Sequence, residues 1–311
     1  MRSLFKKMLL QRERRGTLDF VLPENKVEVD KEGNPIKIGP YPSFETNKWI
    51  EEFMVAANRV VAKALREARE PALYRVHEAP DPKALDELNG MFKAMGFAFR
   101  LKDLTPPDFH ELLKKLNVEP KAAPLNFLIL RSQKQASYQP EPLGHFGLAL
   151  EDYCHFTSPI RRYPDLVVHR GMKALLRRER GSKDGAGGNR NDDLYALGQH
   201  CSARERNAAQ AERWVVARKQ CWFFKPKLGK VVPGRITGMN ARGLYMDLDG
   251  TGAEGMLEFD RLPGTVTFDE AKYRVYLGSK KMLTLGDTFD VVISAIRWED
   301  NRILIDPADK L

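Results

Sequence analysis

Two textures divide the chain. Up to about residue 225 the apolar positions recur at helical spacing, and from Gly229 they fall into short β-type runs with turn residues between them. Over residues 43–69, Trp49, Phe53, Met54, Ala57, Val60, Val61, Ala64 and Leu65 keep to one stripe, which predicts a long helix with a single buried face. A second long helix is predicted from Asp193 to about Phe224, through Leu194, Leu197, Cys201, Ala208, Ala211, Val215 and Val216. Shorter helices are predicted over 83–95, 107–116, 122–137 and from Pro164 to about Arg180, bounded by Gly, Pro or Asn signals. Alternating stretches at 18–22, 26–29 and 36–38, around Gly33-Asn34, predict a small antiparallel element, and Tyr74-Arg75-Val76 a further extended segment. Residues 181–191 read as a flexible, low-complexity loop. Past Gly229, five strands over 230–238, 243–248, 255–259, 288–296 and 302–305 have the number and order of an OB barrel.

One stretch carries more chemistry than the rest. In His155-Phe156-Thr157-Ser158-Pro159-Ile160-Arg161-Arg162-Tyr163-Pro164-Asp165, two prolines five residues apart stiffen a short segment. Pro164 suits the first position of a helix, where a missing N–H costs nothing. Arg161 and Arg162 are thus predicted on a braced turn just before a helix N-terminus. Guanidinium forks and exposed amide donors together hold phosphate. Ser158 and Tyr163 add hydrogen-bonding groups beside them, which sets the pair apart from two ordinary surface arginines.

Charge points the same way. A net charge of +9 over 311 residues favours a polyanionic partner. Cys154, Cys201 and Cys221 lack metal-site spacing and read as reduced cysteines of a cytoplasmic protein. No apolar run approaches the length of a membrane span. The basic N-terminus, residues 1–15, reads as a helix rather than a targeting peptide.

The run from His145-Phe146-Gly147-Leu148 through Tyr153 to His169 resembles the signature of the ribonuclease II / ribonuclease R (RNB) family of 3′→5′ exoribonucleases, with Cys154 its one unusual position. Arg15-Gly16-Thr17-Leu18-Asp19-Phe20 is similar to that family's RGxxDF segment, and residues 74–82 to its YRVHExPxP element. Gly229-Lys230-Val231, Gly243-Leu244-Tyr245 and Gly255-Met256-Leu257 resemble the S1-type module that closes such chains. The resemblance implies an α/β protein: a helix-rich C-terminal half of an RNB catalytic domain over 1–225, then a five-stranded OB-fold barrel over 226–311.

It also implies roles. Arg161 would clamp the phosphate next to the scissile bond, with Ser158, Arg162 and Tyr163 around it on the RNA. Phe20 would stack on the terminal base, although an ordinary core aromatic is the plain alternative. Glu51, the first of an EE pair, would recognise the terminal sugar. Glu212 falls where the family has an acidic residue facing the RNA channel, and Trp214 departs from the pattern beside it. Tyr245 would be the barrel's stacking platform. Arg242, Glu258 and Asp260 replace residues common there, so weaker RNA contact is expected from this barrel, supplied partly by Arg242, Lys280 and Lys281.

The family's chemistry is two-metal hydrolysis with Mg²⁺ held by four aspartates upstream of RGxxDF. The sequence has no such group: Asp192-Asp193 borders the loop, and Asp247 and Asp249 belong to the barrel. An arginine clamp without metals supplies no nucleophile, so this chain alone is expected not to hydrolyse RNA. Two readings follow. The chain is the C-terminal portion of an exoribonuclease that releases nucleoside 5′-monophosphates, working with a chain that carries the missing half. Alternatively, it is a non-catalytic protein that binds single-stranded RNA.

Overall fold

The structure, a computed structural model, describes the chain apart from residues 21–24, 42–43, 95, 98–99, 102, 104, 119–121, 182–187, 190–192, 271, 279–280 and 310–311. Helix α1 (Arg2–Arg15) ends at Gly16, whose φ of 77° is the left-handed geometry of a helix C-terminus. Strands β1 (Asn25–Val29) and β2 (Pro35–Pro40) form an antiparallel hairpin, its turn held by Asp30 accepting from the Asn34 amide at 2.7 Å. The expected strand at 18–22 does not form over Leu18–Phe20: Leu18 N–H donates to Gly147 O instead, so this stretch ties α1 to the central motif. Val21 and Leu22 lie outside the described residues.

Helix α2 (Glu45–Glu67) follows, then β3 (Tyr74–Val76), α3 (Pro82–Ala94), α4 (Pro106–Leu116) and α5 (Ala122–Ser132). The last is shorter than predicted. Residues 137–139 leave the helix to form β4 (Ser137–Gln139), which pairs antiparallel with β3. The pairing recruits the β-branched and aromatic residues of Tyr74–Val76, a partner more than sixty residues away that local periodicity does not reveal. Helices α6 (Tyr163–Glu179) and α7 (Leu194–Phe224) complete this half. Most of the low-complexity loop between them lies outside the described residues. Ala62 and Leu65 of α2, Tyr74 and Val76 of β3, and Val168 and Leu175 of α6 share one core with Cys154.

The C-terminal half is a closed barrel of β5 (Val231–Asn240), β6 (Gly243–Leu248), β7 (Ala253–Glu258), β11 (Thr288–Arg297) and β12 (Arg302–Pro307), in the order β11-β12-β7-β6-β5. These are the five strands that the alternation predicts. Between β7 and β11 stands a three-stranded antiparallel sheet, β8 (Val266–Asp269), β9 (Arg274–Leu277) and β10 (Lys281–Thr284), which the sequence reading passed over. Each strand is only four residues long, too short for alternation to stand out. Leu244, Met246, Leu248, Val291, Ile293 and Ile305 point into the barrel, whose core runs on into that of α3, α4 and α5.

At Gly243 a side chain has nowhere to go. A Cβ there would press on the Leu257 carbonyl oxygen and stand 3.0 Å from Glu258 Cα, both backbone atoms of the paired strand β7. Gly243→Ala is expected to lower stability by about 2 kcal/mol, read as an earlier midpoint in urea unfolding.

Candidate functional site

The arginine turn is built from below by one carboxylate. Asp165 sits in the first turn of α6, fully buried, and accepts from the Ser158 amide at 2.7 Å and from Arg162 Nη2 at 2.9 Å. Ser158 O in turn accepts from the amides of Arg161 and Arg162, closing the turn. The helix N-terminus adds its own favourable field to the buried charge. Pro164 takes the second helical position rather than the first, with Tyr163 before it.

This arrangement divides the two arginines. Arg162 is spent on Asp165 and is half-buried, with its Nε lacking any hydrogen-bond partner among the described residues. Arg161 is exposed, and its guanidinium makes no ion pair with a described residue. Ile160 beside it is fully exposed, and Tyr163 is 45% exposed, its hydroxyl 3.2 Å from Arg170 Nη1. A rigid turn therefore presents one uncommitted guanidinium to solvent.

A layer of neutral rings backs the turn. Phe156 N–H donates to Asn58 Oδ1 at 3.0 Å, and Asn58 Nδ2 donates to the Tyr153 hydroxyl at 3.1 Å. His169 stacks on Phe156 at 4.1 Å between ring centres. Tyr138 hydroxyl lies 2.9 Å from His155 Nδ1, and Tyr153 meets both His145 and His155 edge-on. Burial first, then nearby positive charge, pushes His145 and His155 down to about 3. Burial also lowers His77, which accepts the Gly147 amide on Nδ1 at 3.0 Å and is thereby a structural ring. Arg75 lies 4.7 Å over the Tyr138 ring and forks onto Glu205 of α7 at 2.6 and 3.2 Å, bolting the layer to the long helix.

The remaining predicted residues fall into three places. Glu51 lies 3.6 Å from Arg12 of α1, which also bonds Glu52 and Asp19. Burial works against the Arg12 charge, but the Glu52 and Asp19 bonds outweigh it and hold the guanidinium pKa above its ordinary value. Phe20, next to Asp19, packs half-buried on the main core. Glu212 lines a cleft of about 490 Å³ between α7 and the β1–β2 hairpin, with Lys26, Tyr41 and Lys219. Tyr245 lines a larger cleft, about 950 Å³, between the barrel and helices α5 and α7. No residue of the 158–165 turn lines either cleft. Lys280 lies outside the described residues.

Magnesium requires several oxygen ligands converging on one point. Among the described residues no group of three His, Cys, Asp or Glu is placed to hold a metal. The three carboxylates that do converge, Asp19, Glu51 and Glu52, converge on the Arg12 guanidinium. The described residues thus do not fit a magnesium site.

Sequence reasoning missed Asp165 and Arg12. Asp165 was legible as an acidic residue in a helix first turn, where the dipole favours it. Arg12 gave no signal, being one of several bases on a basic helix.

The RNB domain matches residues 1–178. Ribonuclease R of Aquifex aeolicus is 36% identical over 100% of this chain and 44% of its own length. Ribonuclease R of Escherichia coli is 35% identical over 97% of this chain and 38% of its own. Mycoplasma genitalium RNase R, solved in complex with ribose-methylated single-stranded RNA, superposes with a TM-score of 0.89 at 27% identity, over 98% of this chain and 48% of that one. The chain spans less than half the length of these relatives. With an RNB match over more than half its residues and ribonucleases R aligned along its whole length, the chain belongs to the RNB ribonuclease family.

Proposed function

We propose that this chain is the RNA-gripping C-terminal portion of a 3′→5′ exoribonuclease, which removes nucleoside 5′-monophosphates from single-stranded RNA only when a partner supplies the metal-binding aspartates. The observation that carries the reading is Arg161: exposed, uncommitted and fixed in place by a buried carboxylate. A phosphate oxygen pair meets its fork without the protein first breaking an ion pair, so little binding energy goes into reorganisation. The RNA-bound relative supports the same choice of ligand.

In this reading Arg161 holds the phosphate beside the scissile bond, and Ser158 and Tyr163 offer hydrogen-bonding groups to the same nucleotide. Arg162 keeps the turn in shape and adds positive potential. Glu51 accepts from the terminal ribose, while Phe20 contacts the terminal base. Glu212 borders the strand's path, and Tyr245 stacks a base farther along it. Aspartates of the partner would hold magnesium, which would supply Lewis-acid chemistry at the phosphate that this chain's residues grip. The second reading, a non-catalytic single-strand binder, draws support from the lack of a fitting metal site among the described residues.

Incubation of a labelled oligoribonucleotide with Mg²⁺ separates the readings. Degradation by the purified chain alone would overturn both. Degradation only on adding an aspartate-bearing RNB half supports the first, and binding without degradation under either condition supports the second. Arg161→Ala is expected to weaken binding about tenfold and to reduce the salt slope of log K by roughly 0.7, as one lost phosphate contact requires. Fluorescence anisotropy at several salt concentrations checks both numbers.

A further inference from the structure

The cleft between the barrel and helices α5 and α7 has a floor built from two parallel rows of outward side chains. In one row Tyr245 on β6 stands directly opposite Met256 on β7, whose sulfur lies 3.1 Å from Arg302 Nη1. In the other, Arg235 on β5 faces Asp247 on β6, and Asp247 faces Glu254 on β7. The opposite wall is α5, which presents Phe127, 45% exposed. The Tyr245 ring, with Met256 buried beside it under Arg302, thus adjoins two carboxylates flanked by Arg235, with a second aromatic across the gap.

The carboxylate pair is the unexpected part. Like charges directly opposite on neighbouring strands repel. Asp247 spends one oxygen on the Gly252 amide, at 2.6 Å, which closes the β6–β7 turn. Glu254 makes no hydrogen bond or ion pair with a described residue. It keeps access to solvent but is crowded by the cleft walls, and this desolvation raises its pKa, with Arg302 pulling the other way. Desolvation likewise raises Asp247. A groove meant only for phosphates would carry cations at these positions. Acceptor oxygens beside a stacking surface suit the edge of a base.

We propose that this cleft takes a nucleobase, and that Glu254 and Asp247 make it favour guanine over uracil. The inference rests on the RNA-binding reading. Guanine presents adjacent N1–H and N2–H donors, which one carboxylate accepts as a two-pronged pair. Uracil presents a single N–H between two carbonyl oxygens, so a carboxylate there meets acceptors. Tyr245 and Phe127 supply stacking that is indifferent to base identity. Arg235, opposite Asp247, meets a flanking phosphate and keeps the strand's backbone away from the carboxylates, while Arg302 stays paired with Asp300 at 2.9 Å.

The test uses the full chain, a uracil-only octaribonucleotide and the same octamer with one central guanine, with binding read by anisotropy. The guanine octamer is expected to bind about tenfold tighter. Glu254→Gln is expected to shrink that preference to about twofold or less, read as the ratio of the two octamers' affinities. Phe127→Ala, an exposed change that spares the fold, is expected to weaken both octamers alike by roughly tenfold. Equal affinity of the wild-type chain for both octamers, or a guanine preference that survives Glu254→Gln, would overturn the inference and leave the RNA-binding reading standing. Failure of both octamers to bind would remove the two readings together.

Discussion

Asp165→Ala is expected to cost about 3–5 kcal/mol of stability, because it leaves the Arg162 guanidinium half-buried with no opposing charge. The Ser158 amide loses its acceptor at the same time, so the turn that presents Arg161 has nothing to hold its shape. RNA affinity should therefore fall at least as far as in Arg161→Ala, although residue 165 is fully buried and touches no ligand. Asp165→Asn keeps an acceptor and removes the charge, and is expected to fall between the two. Urea unfolding and anisotropy on the same preparations check the pair. An Asp165→Ala chain within about 1 kcal/mol of wild type would show that the two prolines alone stiffen the turn.

Acid should act on the layer of rings behind the turn. The unfolded chain takes up protons on His145 and His155 near pH 6.5, whereas the folded chain resists until about pH 3. Both groups have depressed pKa values on folding, and both are bases. Between those limits the unfolded state binds more protons, so stability falls as pH falls. From pH 7 to pH 5 each ring gives up about 2 kcal/mol, or about 4 kcal/mol together. That is a large share of an ordinary domain's total and should lower Tm by roughly 8 °C or more. His77 in the same layer, lowered by burial too, adds to the loss in the same direction. A Tm that stays level between pH 7 and pH 5 would place both rings in contact with water.

Fold class and the arginine turn were both legible in the sequence, for different reasons. The five barrel strands show because turn glycines such as Gly229, Gly250, Gly252 and Gly286 bound alternating runs. Arg161 shows because flanking prolines and hydrogen-bonding neighbours mark a fixed turn. What stayed hidden depends on residues far apart in the chain. The pairing of β3 with β4, the Arg75–Glu205 fork and the Arg12 cluster join segments whose local patterns carry no trace of one another. The division of labour between Arg161 and Arg162 was also out of reach, since only the position of the Asp165 carboxylate decides which arginine is spent.

Helix α7 touches both ends of the proposed strand path. Glu205 on it is forked to Arg75 beneath the arginine turn, and Gln220 on it lines the barrel cleft. Fifteen residues of unbroken helix between them amount to about 22 Å. A helix of that length acts as a caliper, setting the jaws of the molecule at one gauge. On the proposed path, an oligonucleotide too short to reach across would be held by a single jaw, and strand length itself would become something the protein selects.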